Sequence, residues 1–233
     1  MLFIHEVHAV TAGRGDRLET LLREQWAPAV ARDDGARLVW CARSMPGAIS
    51  FPEVVTLTAV IDGAALERMA ARRRIGDLRK EMTALTDYRV GVTSRILAPL
   101  AFNPLEIELD AIPPEPEPVD KPSEMYVHDF VPPRLGMQRA YEKAMQQVFM
   151  AMLDMEGIEV RIWAGLETLC GGGPSPETLN ISRISTAAAA IGMLSRTVSR
   201  DDVKPGSWMY EGLKLRDTWT SRLVRTVPWS PIR

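Results

Sequence analysis

Only two cysteines and three histidines occur in the 233 residues of this chain. Cys41 and Cys170 stand far apart with no Cys-x-x-Cys spacing, so they read as reduced thiols rather than a disulfide framework, and neither stands out as a nucleophile. Charge of one sign is not in excess either. The net charge is -2, which argues against a nucleic acid or an anionic membrane surface as partner. Long apolar runs are missing: no stretch approaches the ~20 residues of a membrane span. The opening MLFIHEV lacks the basic segment and apolar core of a signal peptide, so a cytoplasmic location is expected. No nucleotide, flavin or metal motif is present, and no cofactor is expected. The glycine-rich CGGGPSP at 170–176 is not followed by a helix bearing Lys-Ser/Thr and reads as a hairpin rather than a phosphate loop. The chain has no His-x-His or His-Glu-x-x-His spacing. No expected helix carries a histidine, so an axial haem ligand would have to come from a first strand or a non-histidine side chain.

What is present is a repeat. A proline- and acid-rich stretch at 106–123 reads as an extended linker between segments 1–105 and 124–233. Set against one another, the two segments match in order. FIHEV (3–7) lies over YVHDF (126–130), PEVVTLTAV (52–60) over PETLNISRI (176–184), and TSRILAPLAFNPL (93–105) over TSRLVRTVPWSPI (220–232). His5 thereby matches His128, Glu6 matches Asp129, and Arg95 matches Arg222. Each segment alternates as a strand, then shows helical spacing, two strands, a second helix and a last strand. The order βαββαβ predicts one ferredoxin-like unit per half, a four-stranded antiparallel sheet with both helices on one face. The bare faces of two such α+β units can cover each other within one chain and enclose a barrel-like cavity. The expectation is a monomer with an internal pseudo-dimer, or a weak homo-oligomer.

The endings LAPLAFNPL and VRTVPWSPI, the SFPEVVTLTAV strand and the KPGSWMYEGL stretch resemble NIPSNAP-type domains of the dimeric α/β-barrel superfamily. The first half departs from that pattern in having no counterpart of Trp208. The resemblance implies the barrel fold. The superfamily includes cofactor-free monooxygenases, cyclases, isomerases, haem-handling proteins and members without known activity, so it leaves the reaction open.

Strand alternation then sorts side chains. Phe3, His5 and Val7 share one face of the first strand, and Ile4, Glu6 and His8 the other. If apolar faces pack under the helices, Glu6, His8 and Arg95 line one half of the cavity, and Asp129 and Arg222 the other. Glu6 could then pair with Arg95, and Asp129 with Arg222, either as architectural ion pairs or as site residues. His8 is the leading base candidate because its ordinary pKa lies near neutrality and Glu6 is beside it. A carboxyl of Glu6 or Asp129 raised by burial is the alternative base. On this reading His5 and His128 sit beneath the helices, and a one-residue register error would bring both into the cavity. The run ARRRIGDLRK at 71–80 reads as a solvated helix face. Two functions follow. One is cofactor-independent proton transfer, as in a lyase, isomerase or cyclase, on a small hydrophobic, aromatic or polycyclic molecule, with Arg95 or Arg222 stabilising an enolate or phenolate. The other is a non-catalytic small-molecule-binding or interaction protein of NIPSNAP type.

Overall fold

The computed structural model describes residues 1–46, 52–150, 160–196 and 204–233. The first half runs β1 (Leu2–Val10), a helix α1 built from Gly15–Leu21, a π-helical turn Leu22–Trp26 and Ala27–Val30, then β2 (Ala36–Ser44) and β3 (Glu53–Val60). Helices α2 (Gly63–Ile75) and α3 (Leu78–Thr86) lead into β4 (Arg89–Pro99). The second half repeats this with β5 (Met125–Val131), α4 (Gln138–Ala144, continued by a π-helical turn at Met145–Phe149), β6 (Val160–Gly171), β7 (Thr178–Ile184), α5 (Ala187–Arg196), a short α6 (Trp208–Gly212) and β8 (Thr220–Thr226). The π-turns fall at corresponding places in the two halves, as a duplicated sequence requires. The single second helix expected of the first half is divided at Gly76–Asp77, and α6 adds a turn of helix that alternation alone did not indicate.

Each half forms an antiparallel sheet, in the orders β4-β1-β3-β2 and β8-β5-β7-β6. Two seams join them: β2 pairs with β8, with Ala42 opposite Thr226, and β4 with β6, with Leu97 opposite Thr168. The eight strands close into an antiparallel barrel within one chain, which leaves no sheet without a partner on either side. The α+β architecture of two tandem ferredoxin-like units is therefore as the sequence predicts.

Most strands are buried on both faces, one under helices and one inside the barrel, while Val90–Ser94 of β4 and the end of β6 are exposed. The helix side of the first half packs Ile4 and Val54 against Leu18, Leu22, Trp26 and Leu78. Asp62 starts α2 by accepting a hydrogen bond from the Ala65 amide at 2.8 Å, and Ala65 and Met69 bury the inner side of that helix. The barrel interior holds Phe3, Val7, Leu57, Leu97, Tyr126 and Phe130 among its buried side chains. Burying each large apolar side chain contributes about 1.5–3 kcal/mol.

Two matching bulges shape this interior. The register of β2 against β3 jumps between Leu38 and Trp40, and that of β6 against β7 between Ile162 and Ala164. A bulge can send two consecutive side chains to one face. Val39 with Trp40, and Trp163 with Ala164, all join the interior cluster. Trp40, Tyr126 and Trp163 meet there with ring centroids 5.6–5.7 Å apart. The segment read as a linker contributes to the same cluster: its buried Leu109 and Ile112 pack against it. The segment leaves from the end of β4 and returns at the start of β5, so it covers the barrel end where Phe3 and Tyr126 lie. Among the described residues, no helix is long and apolar enough to cross a membrane.

Candidate active site

The opposite end of the barrel interior is polar, and the strand register shows which residues make it so. In the first half His5 lies directly opposite Arg95 on β4, not Glu6 as expected; Glu6 faces Ser94. In the second half His128 lies opposite Arg222 on β8. Arg95 and Arg222 point inward, as expected of them. Since residues opposite one another share a face, both matched histidines point inward too, and the expectation that they lie beneath the helices is corrected. The assignment failed because it assumed that the more apolar face must meet the helices. Inside this barrel the filling is at least as apolar as the helix contact, so hydrophobicity could not say which face was which.

His5 Nε2 and His128 Nε2 are 2.8 Å apart, with both side chains fully buried. Their rings meet edge to edge, tilted 24° from one another with centroids 4.9 Å apart, and the Phe130 ring stands across both. Burial lowers the pKa of both, and the neighbouring positive charges lower it further. For His5 the added contributions are His128 and then Arg95 and Arg222, and its value lies well below the usual range. For His128, Arg222 and Arg95 help bring the value down to about 3. Both imidazoles are therefore neutral at pH 7. Both Nδ1 atoms are buried with no hydrogen-bond partner among the described residues.

Two ion pairs flank the histidines, and each crosses between the halves. Arg95 donates from Nε to Glu177 at 2.6 Å and from Nη2 at 3.3 Å, and its guanidinium lies 3.8 Å from the Phe130 ring centroid. Arg222 donates from Nε to Glu53 at 2.9 Å and lies 5.7 Å from the same ring. The expected pairs Glu6–Arg95 and Asp129–Arg222 do not form. Glu53 and Glu177 were not singled out from the sequence, yet the signal was available: each follows the proline that opens the matched strand of its half, in PEVV and PETL. The arrangement is unequal in one respect. Arg95 also donates to the Gly172 carbonyl at 3.3 Å, while the Nη1 of Arg222 is buried without a partner among the described residues. The glycine-rich hairpin thus lies over Arg95. At Gly171, whose φ is +101°, an added Cβ would sit 2.3 Å from the Ser94 carbonyl oxygen, so the chain's approach there needs glycine.

Glu6, His8 and Asp129 face the helices instead, which corrects their expected place in the cavity. Arg73 on α2 grips Glu6 with two hydrogen bonds of 3.0 Å and lies 4.9 Å from the Trp26 ring centroid. Burial pushes the Glu6 carboxyl up, but Arg73 and the other positive groups outweigh it and hold the pKa below its usual value. Arg73 belongs to the run read as a solvated face; this side chain instead turns inward. His8 contacts Arg89 at 2.6 Å through Nδ1 and Thr56 at 3.2 Å through Nε2. Since Arg89 can only donate, Nδ1 accepts and Nε2 carries the hydrogen. Burial brings the His8 pKa down to about 4, against the opposing pull of Glu6. These residues form a structural network between sheet and helices.

Asp129 sits half-buried on the helix side of the second half, bonded to Ser221. Burial raises its pKa from 3.8 to about 6, against Ser221 and Arg216. The folded state therefore binds the proton more tightly than the unfolded chain, and this group's contribution to stability falls as pH rises from about 4 to 6. Asp129→Asn is expected to stabilise the protein by about 1–2 kcal/mol at pH 7, after allowance for partial solvent access, with little effect at pH 4. Urea denaturation at the two pH values measures this; an equal effect at both would contradict it. Among the described residues, no three of His, Cys, Asp and Glu converge as a metal-holding group.

No family model and no curated protein matches this chain. Solved structures do. An anthrone oxidase-like protein is similar over 97% of this chain and 91% of its own length, at 12% identity and a TM-score of 0.60. A candidate monooxygenase from Lactobacillus acidophilus NCFM is similar over 100% and 99%, at 10% identity and a TM-score of 0.56. These likenesses show the fold, a dimeric α/β-barrel formed within a single chain. A NIPSNAP domain protein from Burkholderia xenovorans matches over 45% of this chain and 100% of its own length, at 19% identity and a TM-score of 0.36.

Proposed function

We propose that this protein is an enzyme that moves a proton on a small hydrophobic, aromatic or polycyclic compound without an organic cofactor, at the polar end of the barrel interior. The observation that carries the reading is the contact of two neutral imidazoles beside two guanidinium groups inside an apolar enclosure. A neutral imidazole can take a proton, and guanidinium groups stabilise the enolate or phenolate left behind. A barrel of similar fold named as anthrone oxidase-like supports a polycyclic substrate. Glu6, His8 and Asp129 are left out of this chemistry because they lie on the other side of the sheets.

Anthrone, a polycyclic ketone with acidic methylene hydrogens, is the probe. Incubated in D2O with the protein, it is expected to exchange those hydrogens well above the buffer rate, as read by mass spectrometry. His8→Ala, on the helix side, is expected to keep the exchange. Absence of exchange with anthrone and with a panel of hydroxylated naphthalenones would sink the proposal. One observation favours non-catalytic binding as the second reading: both ion pairs tie one half to the other. On that reading the same ligands would bind without exchanging hydrogen.

A further inference from the structure

On the helix side of the sheets, three polar positions match between the halves: Glu6 with Asp129, Thr56 with Asn180, and Arg89 with Arg216. In the first half all three are satisfied. Arg73 grips Glu6, while His8 takes a hydrogen bond from Arg89 at Nδ1 and gives one to Thr56 from Nε2. In the second half the place of His8 is held by Val131, whose side chain has no polar atom to offer. No described cation forms an ion pair with Asp129 either.

The result is a set of stranded polar groups. Arg216 is only 5% exposed, yet among the described residues its side chain has neither a carboxylate partner nor a hydrogen-bond acceptor, and its Nε is fully buried. The guanidinium lies 4.3 Å from the Trp219 ring centroid and 5.3 Å from that of Trp208. Asp129 lies opposite Asn180 on the neighbouring strand, and each keeps one buried oxygen, Oδ1, without a partner among the described residues. Asn180 is itself 4% exposed and donates from its amide to the Tyr141 hydroxyl at 2.8 Å. The charge of Arg216 acts on both Asp129 and Tyr141, which places these side chains around one spot. Asp129 and Ser221 are half-buried, so solvent reaches it.

We propose that Asp129, Asn180 and Arg216 form a second binding site, separate from the barrel interior, for a small α-amino acid. The guanidinium offers a planar edge of N–H donors, which takes the carboxylate. The two Oδ1 atoms, one of them on a carboxylate, take the ammonium. A plain carboxylate would leave both acceptors unpaired, and a plain amine would leave the guanidinium unpaired, so the zwitterion is the complement. Water could bond to both oxygens and one N–H but would leave Arg216 without a counter-ion. The fold by itself gains nothing from these groups, since unpaired buried charge is costly and ionised Asp129 lowers stability at pH 7. The site lies across the sheet from His5 and His128 and stands apart from the proton-transfer reading.

Isothermal titration calorimetry of the whole protein at pH 7 tests this with the common amino acids, and with acetate and ethylamine as partial probes. At least one small amino acid is expected to bind saturably, and each partial probe to bind about 10-fold or more weakly. Arg216→Gln removes the partner of the carboxylate. Asp129→Asn removes the charge that takes the ammonium and favours the fold, so a loss of binding in it does not come from unfolding. Each variant is expected to weaken that amino acid about 10-fold or more, and to keep whatever anthrone exchange the wild type shows. Acetate binding as tightly as the amino acid overturns the zwitterion assignment. Unchanged affinity in Asp129→Asn overturns the site. So does the absence of saturable binding by every amino acid at millimolar concentration, which would mean that water alone occupies the spot.

Discussion

Glu177→Gln is expected to destabilise the protein by about 3–5 kcal/mol, the cost of leaving a buried charge without its partner. The Arg95 side chain is 7% exposed and that of Glu177 3%. The carboxylate takes two hydrogen bonds from Arg95 and one from the Thr168 hydroxyl at 3.1 Å. Without that negative charge the guanidinium stays in the barrel, over Phe130, with the Gly172 carbonyl and a neutral amide oxygen to receive it. Glu53→Gln is expected to cost less, because Arg222 is 12% exposed and makes a single hydrogen bond to Glu53. Replacing both members of the tighter pair, Arg95→Met with Glu177→Leu, is expected to recover most of the loss, since a well-packed apolar pair avoids the desolvation of both charges. Urea denaturation of the three variants measures the differences. A loss under about 1 kcal/mol in Glu177→Gln would mean that water reaches Arg95 and that the pair contributes as little as a surface pair does.

Trp40→Ala is expected to have an effect of similar size at the other end of the barrel, about 3–5 kcal/mol. Trp40 is fully buried and packs against Tyr126 and Trp163, with the linker residues Leu109 and Ile112 in the same cluster. Its Nε1 has no hydrogen-bond partner among the described residues, so what is lost is packing. Trp40→Phe should therefore keep most of the stability, and Trp40→Ala should lower Tm by about 6–20 °C for a chain of this size. Equal losses in the two variants would mean that the indole N–H, rather than the ring, holds the interior together.

Much of the fold was legible because duplication and alternation are local signals. The matched stretches gave the two halves, and the period-two and helical patterns gave βαββαβ in each. Arg95 and Arg222 were placed on the inner face because the more polar face of each last strand was assigned to the cavity. His5, His128, Glu6, His8 and Asp129 were placed on the wrong faces for one reason. Alternation says that His5 and Glu6 point to opposite faces, but only the pairing of β1 with β4 says which of them accompanies Arg95. The bulges at Val39 and Trp163 were likewise invisible, because each is a shift between two strands. The partners Glu53 and Glu177 come from the opposite half of the chain, and the neutral state of the histidine pair depends on burial that the sequence does not measure.

By itself the sequence determined that two ferredoxin-like halves exist and that each carries histidine and arginine at the same two places, since residue spacing and repetition are properties of the chain alone. Only the tertiary structure decided what meets what: strand register and barrel closure bring His5 onto His128, exchange glutamates between the halves, and remove the unmatched His8 to a structural contact under the helices. The physical reason is that a strand with both faces buried leaves no solvent side to orient it, so facing is fixed by closure of the barrel.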